Sequence, residues 1–267
     1  MIGEFPSEAE FKKFENVMGN RRRLSSEDSE FYSFLKKSKA WDKFYNSINS
    51  EDFVKNALSQ FKDELRVYDS AINHQNFKFD REFLKNKAFK KNEVINKANK
   101  TSVGLISSKD LLKIILYRII NKIIERVMRY KVNKKETKLY VHFDISAAHN
   151  GYLREIHHDN DDRVIAMVFY LSDHITDSRI GGEFCIHKYK HERDLSMCEA
   201  HPNAEDMLEV KRIQPSKNQG IMFLSTPNSY HSVPLIEQAD HWRKFIYIGV
   251  TVDNPKAWNN SKNSYNS

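Results

Sequence analysis

Lys138-Leu139-Tyr140-Val141-His142-Phe143-Asp144-Ile145 opens the part of the chain whose reading decides the fold. It is the first of eight short runs rich in Val, Ile, Phe and Tyr. The others span 152–157, 164–171, 183–187, 207–213, 220–224, 230–235 and 244–252. The breaks Asn150-Gly151, Gly181-Gly182, Pro215 through Gly220 and Pro227-Asn228 supply residues that favour turns. Short β-prone runs at this spacing predict a sandwich or barrel, and eight strands suit a two-sheet jelly roll.

Upstream of Thr137 the pattern changes to helical spacing. Ser7-Glu8-Ala9-Glu10 predicts a capped helix start ahead of the Phe11/Phe14/Val17 stripe. Ser50-Glu51-Asp52-Phe53 predicts another, with Phe53, Val54, Leu58, Phe61 and Leu65 at helical spacing. Residues 71–102 are irregular and lysine-rich, and read as loop with a short helix. From Ser108 to Tyr130, Leu111, Leu112, Ile115, Ile119, Ile123, Val127 and Tyr130 form one side of an amphipathic helix whose other side is basic. That stripe is expected to pack on a sheet, with peripheral contact to an anionic membrane as the competing use. The expected class is α+β: a double-stranded β-helix (jelly roll) over 106–253, led by this helix, with a mostly helical extension over 1–105 packed on the sheet and a flexible tail over 254–267.

Composition excludes little. The 267 residues carry 43 Lys+Arg against 36 Asp+Glu, a formal charge of +7. This excess is spread along the chain, and no helix-turn-helix, zinc-finger or RNP pattern accompanies it, so nucleic acid is not the expected partner. Cys185 and Cys198 form neither a disulfide framework nor a CxxC pair, which suits a reducing cytosol. No secretory signal is visible after Met1. The most apolar stretch, Leu111 to Met128, is interrupted by Lys113, Arg118, Lys122, Glu125 and Arg126, so no membrane span is expected.

The chemistry-bearing stretch is His157-His158-Asp159. On an extended backbone the outer two residues point to one side and the middle one away, which selects His157 and Asp159 as a pair of ligands and leaves His158 aside. His231, after the turn at Pro227-Asn228, is positioned by a jelly roll to return toward them. Two histidines and one carboxylate suit ferrous iron with part of its coordination sphere open, whereas a structural zinc site is usually closed by four protein ligands. His187 and His191 form a weaker second pair.

The ordered motifs from Tyr152 to Asp159, Val164 to Ser172, Gly181-Gly182-Glu183-Phe184, Pro215 with Gly220 to Phe223, His231-Ser232-Val233-Pro234 and Arg243-Lys244 resemble the iron(II)/2-oxoglutarate-dependent dioxygenases, in their prolyl 4-hydroxylase-like branch. The resemblance covers about 138–252. It implies an Fe(2+) site at His157, Asp159 and His231 and 2-oxoglutarate as co-substrate, and it admits ascorbate as an accessory. It also implies a dioxygenase that hydroxylates an unactivated C–H of a peptide, amino acid or sugar-type substrate, releasing succinate and CO2. Arg243 would hold the distal carboxylate through parallel hydrogen bonds, with Lys244 as the competitor. Strand alternation sets Arg243, Phe245 and Tyr247 on one face and Lys244, Ile246 and Ile248 on the other. Phe245 stands where the family usually has a small hydroxyl residue. Tyr140 resembles the family's tyrosine near the co-substrate, and Arg154, Arg163 and Arg179 are expected near the mouth. The other readings are a cupin-type metal protein or isomerase, and a non-catalytic module that uses the basic helix for contact.

Overall fold

The structure, a computed structural model, describes residues 5–7, 10–14, 20–67, 72, 77–91, 138–172, 181–239, 241–254 and 256–258. The amphipathic helix expected over 108–130 lies outside the described residues, as does most of the expected tail. Among the described residues, no helix is long and apolar enough to cross a membrane.

The fold is α+β, built mostly of antiparallel sheet. In chain order the strands are β1 (Lys12–Phe14), β2 (Arg21–Ser25), β3 (Lys78–Phe79), β4 (Lys138–Ala148), β5 (Arg154–His157), β6 (Arg163–Tyr170), β7 (Phe184–Tyr189), β8 (Met207–Ile213), β9 (Gly220–Leu224), β10 (Tyr230–Val233) and β11 (Arg243–Val252). One sheet runs β1-β2-β4-β11-β6-β9, with β3 pairing β4 in parallel, and the second runs β5-β10-β7-β8. Each of the eight expected strand runs is present, with ends shifted by at most a few residues.

Strand β4 shows why the first sheet carries two different faces. Its side chains alternate, so Leu139, Val141, Phe143 and Ile145 fall on one face and His142, Asp144 and Ser146 on the other. The apolar face is covered by helices α1 (Ser29–Lys37), α2 (Lys39–Ile48), α3 (Glu51–Ser59) and α4 (Lys62–Val67). Phe31, Phe44 and Tyr45 pack around Phe143 at ring separations of 5.7, 6.0 and 5.6 Å. Ile246, Ile248 and Val250 of β11 join this core. A smaller core, with Tyr152, Val168, Tyr170, Val233 and Phe245, lies between the two sheets.

Helix α3 starts as expected, with the Ser50 side chain accepting from the Phe53 N–H at 3.3 Å. The first expected helix does not form. Only half of the capping box forms: the Ser7 N–H donates to Glu10 Oε2 at 3.0 Å, but the Ser7 hydroxyl donates to the same oxygen and the Glu10 N–H goes to the Ser7 carbonyl at 3.1 Å. The chain then continues into β1, which pairs with β2. Tertiary strand pairing overrides a local helix signal here. Helices α1 and α2 were absent from the sequence reading, although Phe31, Phe34 and Leu35, then Trp41, Phe44, Tyr45 and Ile48, carry the i, i+3, i+4 spacing. Strand β2 was missed too, and it pairs in register with the end of β4, Arg21 opposite Ala148 and Ser25 opposite Asp144.

Two details bind the far end of the chain to the sheet. Trp258 is buried, and its Nε1–H donates to the carbonyls of Arg163 and Ser225 at 3.1 and 2.7 Å. The tail expected to be flexible from 254 is therefore anchored at least this far. Gly249 of β11 lies where the Arg163 guanidinium crosses the sheet, and a Cβ there would overlap it. Gly249→Ala is expected to evict this buried arginine and lower stability by about 1–3 kcal/mol, the usual cost of overpacking, read as a lower midpoint in urea unfolding.

Candidate metal centre

The two sheets enclose a cavity of about 480 Å3. Its floor is the pairing of β5 with β10, where His157 and His231 stand directly opposite. Their rings lie 4.3 Å apart between centroids. Asp159, two residues past His157, brings Oδ1 to 4.0 Å from His231 Nε2. One potential ligand atom from each of His157, Asp159 and His231 lies within 4.8 Å of the other two. His157 at the end of β5, Asp159 two residues beyond it and His231 on β10 thus converge where the two strands pair.

The hydrogen bonds around these groups prepare them to ligate. The Nδ1 of His157 contacts the Glu155 carbonyl at 2.8 Å, and that of His231 contacts the Ser229 carbonyl at 3.1 Å. A carbonyl only accepts, so each Nδ1 carries the proton and each Nε2 keeps its lone pair. Burial pushes the pKa of both imidazoles down; for His157 the neighbouring His231 and Arg154 add to this effect. Both rings are therefore neutral near pH 7. Burial alone would raise Asp159, but His231, Arg163 and His157 hold its pKa below the usual carboxylate range, aided by Tyr247. Two neutral imidazoles and an ionised carboxylate are the donor set a divalent transition metal takes.

Tyr247, which the sequence placed on the inward face without assigning it a role, donates its hydroxyl to Asp159 Oδ2 at 2.9 Å. Burial pushes the Tyr247 pKa well up, so the proton stays on the phenol. This leaves Oδ1 on the side of the histidines and fixes which oxygen can ligate. Tyr247→Phe is expected to weaken metal binding about 10- to 100-fold, the typical effect of losing an outer hydrogen bond to a ligand, measured as Fe(II) or Co(II) affinity. The rings of Phe184 and Phe223 pack on His231 at 5.3 and 5.0 Å and keep water from that side.

Arg243 points into the cavity and is 3% exposed. Its guanidinium lies 5.0 Å from the Tyr170 ring and 5.3 Å from that of Phe245. Its Nε and Nη1 and the Tyr170 hydroxyl are buried without a hydrogen-bond partner among the described residues. Lys244 turns to the opposite face and sits over Phe5 at 4.9 Å. Tyr140 is on the same face of β4 as His142, but it does not line the cavity and instead stacks on Phe83 at 4.3 Å. His158 meets Tyr230 edge-on at 5.7 Å. Nε2 of His187, from the weaker pair, contacts the Ser232 hydroxyl at 2.8 Å.

The sequence reading missed one wall altogether. Strand β2 carries Arg21 and Arg23 to the cavity, where both approach Asp144 Oδ2, at 3.7 and 3.3 Å. His142 Nε2 lies 3.1 Å from the other oxygen of Asp144. Burial alone would raise Asp144, but His142, Arg23 and Arg21 hold it well below the usual carboxylate range. Only the run Arg21-Arg22-Arg23 hinted at this wall, and a short basic run gives no sign of which strand it joins.

Residues 126–249 match the family model described as 2OG-Fe(II) oxygenase superfamily. Among solved structures, the chain is similar to a Pseudomonas putida prolyl-4-hydroxylase, at 19% identity and a TM-score of 0.29, over 42% of this chain and 49% of that one. It is also similar to IDO from Bacillus thuringiensis, at 12% identity and a TM-score of 0.28, over 56% of this chain and 61% of that one. The chain thus spans about half the length of the first and about three fifths of the second. No curated protein matches it.

Proposed function

We propose that this chain is a 2OG-Fe(II) oxygenase, as the match of residues 126–249 to that superfamily's model supports, that His157, Asp159 and His231 hold Fe(II) and that Arg243 anchors 2-oxoglutarate. The reaction is hydroxylation of an unactivated C–H in a peptide, amino acid or sugar-type substrate, with release of succinate and CO2. The observation that carries this reading is the approach of three ligand atoms to within 4.8 Å of one another across the β5–β10 pairing. The strand orders β4-β11-β6-β9 and β5-β10-β7-β8 support a double-stranded β-helix as the scaffold.

The residues fit both groups. Three protein ligands on one side leave positions open for exogenous ligands, as a two-histidine, one-carboxylate centre requires. The partnerless nitrogens of Arg243 and the Tyr170 hydroxyl are buried donors that a carboxylate would satisfy. When bound, ferrous iron supplies the oxygen chemistry that no side chain can perform. The chain's own part is to orient and to exclude water. The Glu155 and Ser229 carbonyls hold the two imidazoles in register, Tyr247 holds the carboxylate, and the aromatic rings of Phe184 and Phe223 keep the centre dry. The two free cysteines support a reducing, cytosolic setting.

The test is a succinate-release screen. Protein supplied with Fe(II) and 2-oxoglutarate is offered peptide, amino-acid and nucleotide-sugar pools. Succinate formation stimulated by one pool and stopped by a chelator is expected; no turnover of 2-oxoglutarate under any condition would contradict the assignment.

A further inference from the structure

Arg154 precedes His157 by three residues on β5 and lines the same cavity. No ion pair or side-chain hydrogen bond engages Arg154 among the described residues. The other arginines of this cavity are paired with Asp144 or buried. Arg21 and Arg23 are held at Asp144, Arg163 is packed against Gly249 and the Tyr247 ring, and Arg243 is buried between Tyr170 and Phe245. Arg154 is only partly buried, so it faces the open part of the cavity.

The charge balance favours an anion there. Five arginines and four carboxylates line the cavity. A ferrous ion and a 2-oxoglutarate dianion add nothing net, so the loaded cavity retains one excess positive charge. A guanidinium in such a site, with low-dielectric walls and no protein partner, is a receptor for a carboxylate or a phosphate, both of which it meets through two parallel hydrogen bonds.

We infer that the substrate carries an anionic group, a carboxylate or a phosphate, and that Arg154 receives it beside the metal centre. This rests on the oxygenase reading above. Arg154 is thus a specificity-determining residue: it places the substrate by its charged end and leaves the bond to be oxidised toward the ligands.

The experiment uses full-length protein loaded with Fe(II) and saturating 2-oxoglutarate under argon, titrated by calorimetry with benzoate, phenyl phosphate and the neutral isostere benzamide. At least one anion is expected to bind tenfold or more tightly than benzamide, and the stronger of the two identifies the group. In Arg154→Gln this preference should fall to within twofold, while the visible absorption of the Fe(II)–2-oxoglutarate complex is retained. Equal binding of all three probes to the wild-type protein, or an undiminished preference in Arg154→Gln, overturns the inference. The wild-type comparison decides even where the variant fails to fold. Absence of the visible absorption from the wild-type protein would instead defeat the oxygenase reading, before any probe is added.

Discussion

Asp159→Ala is expected to abolish succinate formation and to reduce Fe(II) binding to the level of a protein with two isolated histidines. The carboxylate is the only anionic member of the cluster, and its loss leaves a divalent ion facing two neutral imidazoles in a buried cavity. Charge in such a place is costly unless compensated. The same substitution also strands the Tyr247 hydroxyl, whose buried proton is otherwise donated to Asp159 Oδ2. The fold itself should persist, because Asp159 lies beyond the end of β5 and neither core cluster includes it. Far-UV circular dichroism unchanged from wild type, together with lost turnover, is the expected pair of results; turnover retained above a tenth of wild type would remove Asp159 from the centre.

Arg243→Leu should act on the co-substrate alone. Leucine keeps much of the packing against Tyr170 and Phe245 but removes the buried donors. Truncating one partner of a buried, hydrogen-bonded charge pair costs about 2–5 kcal/mol, so the KM for 2-oxoglutarate should rise about thirtyfold or more. Metal affinity, read in the absence of 2-oxoglutarate, should stay within a few-fold, because the Arg243 guanidinium packs on Tyr170 and Phe245 and no hydrogen bond or ion pair joins it to His157, Asp159 or His231 among the described residues. Lys244→Leu provides the contrast. Its ammonium sits over Phe5 on the opposite face, and its loss should leave the KM nearly unchanged. A larger effect at Lys244 than at Arg243 would reverse the assignment.

These two sites show what kind of information the sequence holds. The choice of His157 over His158 follows from strand alternation, a local property that two or three residues suffice to reveal; alternation also sets Arg243 and Lys244 on opposite faces, and the preference for Arg243 rests on the guanidinium's fit to a carboxylate. The eight strands were legible from equally local signs, since runs such as 164–171 and 244–252 are bounded by residues that break them. What the sequence did not disclose depends on which strands become neighbours. Strand β2 joins β4 only through long-range pairing, so nothing near Arg21 and Arg23 announces that they wall the cavity. The contact of Tyr247 with Asp159 spans 88 residues, and the room that Gly249 leaves for Arg163 exists only once β6 and β11 lie side by side. The helix expected after Ser7 failed in the opposite sense: one of its local contacts, from the Ser7 N–H to Glu10, formed as anticipated, yet pairing with β2 decided the backbone of 12–14.

The central claim is that His157, Asp159 and His231 bind one ferrous ion that also accepts 2-oxoglutarate. Visible absorption spectroscopy under argon tests it most directly. A weak charge-transfer band should appear only when Fe(II) and 2-oxoglutarate are both present, and should vanish in His157→Ala, Asp159→Ala and His231→Ala. A wild-type protein that shows no such band, or one whose band survives loss of any of these three side chains, would contradict the account.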